Sequence, residues 1–190
     1  DDATFKIATE HASSSNSTIK VLKNERKGKV SAFNKALRTS TGDCILFLGG
    51  DDISISETFD ERANLVNSTR PVICYGYMET ISSWPLFNGV RHPRRGGGCR
   101  TGGACWFNRA FLELYYPIPR ELPNEDTWID VITKLHNVAV LSPNIDTMRH
   151  RIHGGNSWNR RGDFAEYNKA LQERYIAYAI GLSLPSAKRC

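Results

Sequence analysis

Three places in this 190-residue chain hold acids and imidazoles in patterns that could do chemistry. The first is Asp51-Asp52, which closes the run Cys44-Ile45-Leu46-Phe47-Leu48-Gly49-Gly50. Two adjacent carboxylates repel each other, and a divalent cation with a taste for oxygen ligands relieves that repulsion. The same pair also suits a turn, or the cap of a helix expected to start near Ser56. The second place is Glu125-Asp126, at the head of a helix-periodic stretch where the helix dipole favours negative charge, which is also the ordinary reason for acids there. The third is Arg149-His150-Arg151-Ile152-His153-Gly154-Gly155-Asn156-Ser157-Trp158, a basic, His-bearing and Gly-rich segment. Two histidines three apart do not make a zinc site without further ligands, so a phosphate-holding loop with one imidazole able to reach a metal is the simpler reading.

These residues need a scaffold, and the apolar periodicity points to an α/β one. The run from Cys44 to Leu48 reads as a strand buried on both faces, as in a parallel sheet, and open α/β sheets take ligands beyond the carboxyl ends of their strands. Ile19-Leu22 reads as a short strand before it, after a stretch from Thr4 that is helix-tolerant and dissolves into serines by Ser17. A helix from Val30 to about Arg38, with Ala32, Phe33, Ala36 and Leu37 on one face, joins the two strands in a right-handed βαβ unit capped at Gly42. A second helix is expected from Ser56 to Asn67, with Phe59, Ala63 and Val66 inward, ended by Pro71. Val72-Tyr77 is the next strand. Further on, a helix from Glu125 to about His136 buries Trp128, Ile129, Ile132 and Leu135, and Val138-Leu141 and Ile145-Met148 are short strands. A last amphipathic helix, Asp163 to about Ile180, carries Phe164, Tyr167, Leu171, Tyr175 and Tyr178 on one side. Its polar face is not strongly basic, which favours core packing over a membrane surface.

Composition narrows the partners. The net charge is +5 and the hydrophobic fraction 40%, those of a water-soluble globular chain that suits phosphate-bearing partners or an anionic membrane surface. No run spans a bilayer and no signal-peptide pattern opens the chain. The cysteines form no CxxC pair, and Cys44 and Cys74 lie in strand-like runs as free thiols, which fits a reducing cytoplasm. From Ser82 to Gly103 a loop rich in glycine and arginine (Arg91, Arg94, Arg95, Arg100) reads as a lid or binding loop, or as a disordered stretch. Its RGG-like composition raises RNA binding, but the aromatics are not interleaved as stacking platforms, so no nucleic-acid partner is expected.

Three segments together resemble the family 2 glycosyltransferases of GT-A fold. Gly28 to Leu37 with Gly42-Asp43 and Ile45 to Asp52 resembles the family's asparagine-bearing helix and acid-ended strand. Asn124-Glu125-Asp126 is similar to its Glu-Asp pair, and Arg151-Ile152-His153-Gly154-Gly155-Asn156-Ser157 to its closing Arg-x-His-x-x-Asn-Ser segment. Asp1-Asp2-Ala3 looks like the turn that ends the family's second strand, so the opening strand and helix are expected to precede this chain. The resemblance departs at Gly49, where the family often has the first acid of Asp-x-Asp-Asp, and at Thr4, where a serine is usual.

The resemblance implies a mixed, mostly parallel sheet flanked by helices, in a catalytic domain over 1–158 with a C-terminal helix and tail over 159–190. It implies an inverting transfer from a nucleotide-sugar, UDP-linked before GDP- or dTDP-linked, to a glycan or lipid-linked hydroxyl. Mg²⁺ or Mn²⁺ would be held by Asp52 first, with Asp51 and His153, and Asp126 would be the general base. Asp2, Lys29, Asn34, Asp51 and Arg151 fall on the donor side, and Glu125, Trp128 and Gly103 on the acceptor or sugar side; for Trp128 packing is an equal alternative. The implied location is the cytoplasm, including a peripheral place on the inner face of the membrane. A catalytically inactive module of the same fold and a basic RNA-binding protein are the other two readings. Metal-dependent stabilisation by a nucleotide separates the first from the transferase, and steep salt-dependent RNA affinity would mark the second.

Overall fold

Two four-stranded sheets meet at Gly76. The computed structural model describes residues 3–154 and 164–185. In chain order the elements are α1 (Thr4–Ser14), α2 (Lys29–Thr39), β1 (Cys44–Leu46), β2 (Ile53–Ser54), α3 (Phe59–Leu65), β3 (Val72–Tyr75), β4 (Tyr77–Ser82), β5 (Arg91–His92), β6 (Cys105–Asn108), α4 (Arg109–Tyr115), α5 (Asp126–Leu135), β7 (Ala139–Leu141), β8 (Asp146–Ile152) and α6 (Phe164–Ser183). One sheet has the order β1-β6-β3-β7 and the other β2-β8-β4-β5. The chain passes from β3 in the first to β4 in the second through Gly76, where a Cβ would stand 2.6 Å from the Ile145 carbonyl oxygen and 3.1 Å from the Trp106 ring. Only glycine lets the backbone pass there.

The fold is mixed α/β with helices on both faces of the first sheet. Alternate residues of β3 and β6 point opposite ways. Ile73, Tyr75, Cys105 and Phe107 pack with α2, α4, α5 and α6, and Val72, Cys74 and Trp106 pack with Leu65 and Val66 at the end of α3. The sheets are less parallel than expected. Among the described residues four of the six strand pairings are antiparallel and only β3–β7 and β4–β8 are parallel. Two of the four come from β6, fully buried and inserted antiparallel between β1 and β3, and the other two from the short strands β2 and β5 at the edges of the second sheet.

The start of the fold differs from the expectation. Ile19-Leu22 forms no strand, and Ile19 and Leu22 are 41% and 38% exposed. A strand needs a ladder partner, and among the described residues β1 has one neighbour, β6. As an edge, β1 buries Ile45 and Phe47 while Cys44 and Leu46 are half-buried and Leu48 is exposed, so it is not buried on both faces. The helix expected over 56–67 is a 3₁₀ turn (Ser56–Thr58) followed by α3, and its inner face is Arg62 and Val66 rather than Phe59 and Ala63. The buried Arg62 guanidinium donates to the Ile55 carbonyl at 2.9 Å and lies 4.6 Å from the Phe59 ring, which is left partly in water.

The Ser82–Gly103 connection has more structure than its composition promised. It contains a 3₁₀ turn (Pro85–Phe87), β5 paired with β4, and a second 3₁₀ turn at Gly102–Ala104. Its arginines are partly used inside the protein: Arg91 pairs with Asp146 at 2.6 Å and Arg100 approaches Asp130 at 4.0 Å. Helix α6 lies on α5 through Ala177 and Gly181, where a Cβ would come within 2.5 Å of Leu135 and 2.9 Å of Val131. Tyr175, expected inward, is 77% exposed because the small residues make that contact, while the side chains of Phe164 and Tyr167 lie outside the described residues. No helix among the described residues is long and apolar enough to cross a membrane.

Buried Asn108 ties the layers together. Its Oδ1 accepts from the N–H groups of Val72 and Phe111, and its Nδ2 donates to the carbonyls of Ser68 and Arg70. Asn108→Ala strands four backbone groups at the entry to β3 and the start of α4. It is expected to cost about 2–4 kcal/mol, read as a lower urea midpoint with an unchanged slope.

Candidate active site

The register of β2 against β8 builds the centre of the site. Ile53 pairs with Arg149 and Ser54 with Met148, which brings the preceding Asp52 beside His150. His150 Nδ1 is 2.8 Å from Asp52 Oδ1, and the Arg151 backbone N–H donates to the same oxygen at 3.2 Å. The hydrogen bond to Asp52 holds the His150 imidazole above its ordinary pKa, against the opposing effect of its burial. His153 Nε2 is 3.1 Å from Asp51 Oδ2, and Arg151 Nε donates to the Asp51 carbonyl at 3.2 Å. Partial burial is the largest single influence on Asp51 and works against its ionisation, but the His153 hydrogen bond, a backbone hydrogen bond and the charges of His153 and His150 together outweigh it, and its carboxyl sits below the usual range. His153 thus helps to hold Asp51 in its charged form.

Gly49 completes this part. A Cβ there would lie 2.8 Å from Asp52 Oδ2 and 3.1 Å from Asp51 Oδ1, so both carboxylates lean over a notch that only glycine leaves open. Gly103 makes a second close approach, with a Cβ position 2.5 Å from Met148 Sδ. Together with Met78, Met148 and Phe47 these residues wall a cavity of about 430 Å³. Glu125 and Asp126 line the same cavity from the start of α5.

The Glu-Asp pair is held in an unusual way. Glu125 is 2% exposed, and its Oε1 is 2.8 Å from Lys29 Nζ at the start of α2. Its Oε2 and Asp126 Oδ1 are buried with no hydrogen-bond partner. Close packing of Gly102 explains the crowding, since a Cβ there would stand 2.5 Å from Glu125 Oε1 and 3.0 Å from Asp126 Oδ1. Burial, and then the neighbouring Glu125 charge, push the Asp126 carboxyl up to about 6, with Lys29 pulling the other way.

The structure gathers most of the residues singled out by sequence and sets two apart. Lys29, Asp51, Asp52, Gly103, Glu125 and Asp126 line one cavity, and Arg151 and His153 sit on its aspartates. Asn34 does not. Its amide exchanges two hydrogen bonds with the backbone of Ile118 (2.8 and 2.9 Å), so it braces α2 against the approach to α5. Trp128 is a core residue, 2% exposed, with its indole N–H given to the Tyr115 carbonyl at 2.8 Å, and it has no face to offer a sugar. Asp2 lies outside the described residues, as does the Gly155–Ser157 part of the closing segment. His150 was missed, because the last strand was expected to stop at Met148 and instead runs to Ile152. Strand alternation was the available signal, since Met148 and His150 are two apart and share the face that lines the cavity. Among the described residues no three His, Cys, Asp or Glu side chains are grouped to hold a metal by themselves.

Residues 1–121 match the model of glycosyl transferase family 2. The chain belongs to this family. The match covers α2, β1 and the Asp51-Asp52 turn and stops short of Glu125-Asp126, so the second half of this glycosyltransferase site rests on geometry. Among curated proteins none matches the chain.

Two substitutions should move the Asp126 titration in opposite directions. Lys29→Met removes a cation and is expected to raise its midpoint above about 6, whereas Glu125→Gln removes a like charge and should lower it. Carboxyl ¹³C NMR across pH 4–8 reads both shifts. Equal midpoints in the two variants would refute this electrostatic arrangement.

Proposed function

We propose that the chain transfers a glycosyl group from a nucleotide diphosphate-sugar to an acceptor hydroxyl with inversion, using Asp126 as general base. One observation carries the proposal: a half-buried carboxylate, its pKa pushed up to about 6, lines the same cavity as Asp51 and Asp52. A pKa near 6 leaves roughly nine in ten Asp126 carboxyls ionised at pH 7 yet makes each a stronger base than an ordinary aspartate. The acceptor oxygen would bond to the anomeric carbon on the face opposite the diphosphate, its proton passing to Asp126. The bond from the anomeric carbon to the diphosphate oxygen would break in the same step, and the leaving diphosphate would keep the electron pair.

The residues present fit a divalent cation. Adjacent carboxylates converge on the Gly49 notch, and hard oxygen ligands suit Mg²⁺ or Mn²⁺. Mg²⁺ is commonly bound by one or two carboxylates plus substrate phosphates, so the absence of a third protein ligand in the described region is no obstacle. Asp52 and Asp51 would hold the ion, which when bound neutralises charge on the diphosphate. His150 fixes Asp52 through its short hydrogen bond, and His153 does the same for Asp51. The exposed Arg151 stands at the mouth of this pair, where a diphosphate would meet it. Lys29 holds Glu125 in place, and the Glu125 charge in turn helps to keep Asp126 basic.

Donor binding is the first test. UDP with Mn²⁺ is expected to raise the melting temperature of the protein, and more than GDP or dTDP with Mn²⁺. Asp52→Asn should lose most of the shift and Asp51→Asn part of it. No shift with any nucleotide would favour an inactive module of the same fold.

Asp126→Asn should lower turnover by about 10²- to 10⁴-fold while leaving the UDP–Mn²⁺ shift close to that of the wild type. Because the base acts only when deprotonated, kcat should rise with pH through a limb near 6. Near wild-type turnover in this variant would remove Asp126 from the role.

A further inference from the structure

Asp126 does not belong to one cavity only. A second cavity of about 410 Å³ opens beside it, between the Arg100-Thr101 turn, α5 and the middle of α6, and Asp126 and Thr101 line both. The carboxylate and the threonine therefore form the wall between the two spaces. The second cavity differs sharply in chemistry from the first. Among the described residues that line it, Arg100, Lys134 and Arg174 bring three cations, and Asp130 is the one acid besides Asp126.

Among the described residues these charges are not all answered. Lys134 Nζ holds Asp130 Oδ2 at 2.6 Å, while Arg100 reaches Asp130 Oδ1 only at 4.0 Å, too long for a hydrogen bond. The Arg100 guanidinium is set instead by the buried Tyr75 ring, 4.8 Å away. Arg174, exposed on α6, forms no ion pair among the described residues. Two planar guanidinium groups thus remain, the fork geometry that grips carboxylate and phosphate oxygens in pairs.

We infer that this second cavity is the acceptor site and that the acceptor carries an anionic group, a uronate carboxylate or a sugar-linked phosphate, gripped by Arg100 and Arg174. The inference rests on the transferase reading for the word acceptor, but the predicted binding does not. An acceptor seated here meets Asp126 from the side opposite the Asp51-Asp52 pair. Its hydroxyl reaches the base while its charge stays clear of the diphosphate. Asp130 tempers the site, since its negative charge opposes the anion it would otherwise welcome.

The test is a binding titration on ¹⁵N-labelled protein with three probes: p-nitrophenyl β-D-glucuronide, α-D-glucose 1-phosphate and the neutral p-nitrophenyl β-D-glucoside. At least one anionic probe should bind about tenfold or more tighter than the neutral one, the worth of a charge-assisted hydrogen bond. The larger shifts should fall at Arg100, Thr101 and Arg174. The glucuronide and the sugar phosphate, compared with each other, tell which anion the site prefers. Arg100→Gln and Arg174→Gln should each weaken that binding by about tenfold, and Asp130→Asn should tighten it, a gain that a damaged fold cannot imitate. All three variants should keep the UDP–Mn²⁺ thermal shift. Equal affinity for the neutral probe, indifference to the arginine substitutions, or shifts confined to Gly49–Asp52 would overturn the inference. A missing nucleotide shift beside intact anion binding would instead refute the transferase reading and leave the anion site standing.

Discussion

Glu125 is an acid at 2% exposure, and taking such a group out of water is costly unless a partner compensates it. Lys29 is that partner, at 2.8 Å, and the pair joins the first residue of α2 to the residue before α5. Much of the site follows from this contact. It fixes the entry of α5 and so the position of Asp126. The Asn34 amide, bonded to the Ile118 backbone, holds the same two regions together one turn further along α2. Gly102 then presses on the acids from above, and Gly103 brings the second sheet against Asp52 through Met148.

The second sheet has a different task. Its strands β4 and β8 run parallel from Tyr77 and Asp146 to Ser82 and Ile152, and the late residues of β8 supply the groups that hold Asp51 and Asp52. The first sheet delivers the aspartates and the second secures them. The contact at Gly76, between strands of different sheets, sets how the two halves of the site meet.

Much of this was legible in the sequence, and the failures share a cause. Helix α2, helix α5 and the acid-ended strand were readable because each carries its own periodicity or end signals, and the residues they place share one cavity. Pairing was not readable, because it depends on which strand is available as a neighbour. Ile19-Leu22 has strand residues and no partner, β6 took a slot that a sequential reading gives to no strand, and β8 ran four residues past its expected end. The last error hid His150. Trp128 stayed open between two readings for another reason: a large aromatic beside two acids looks the same in sequence whether it faces a cavity or the core. Arg62 and Phe59 exchanged their expected places because a guanidinium with a carbonyl to bond can be buried while the ring covers it.

Gly49 also limits what this position can accept. Both carboxylates occupy the room that a side chain here would need. Each is also anchored by a histidine, so neither can step back without losing its partner. An aspartate in place of this glycine would therefore have to displace two tethered side chains and bring a third negative charge against them. The gap is thus a steric and an electrostatic boundary at once, and any tolerated side chain would need matching changes at the aspartates and the histidines.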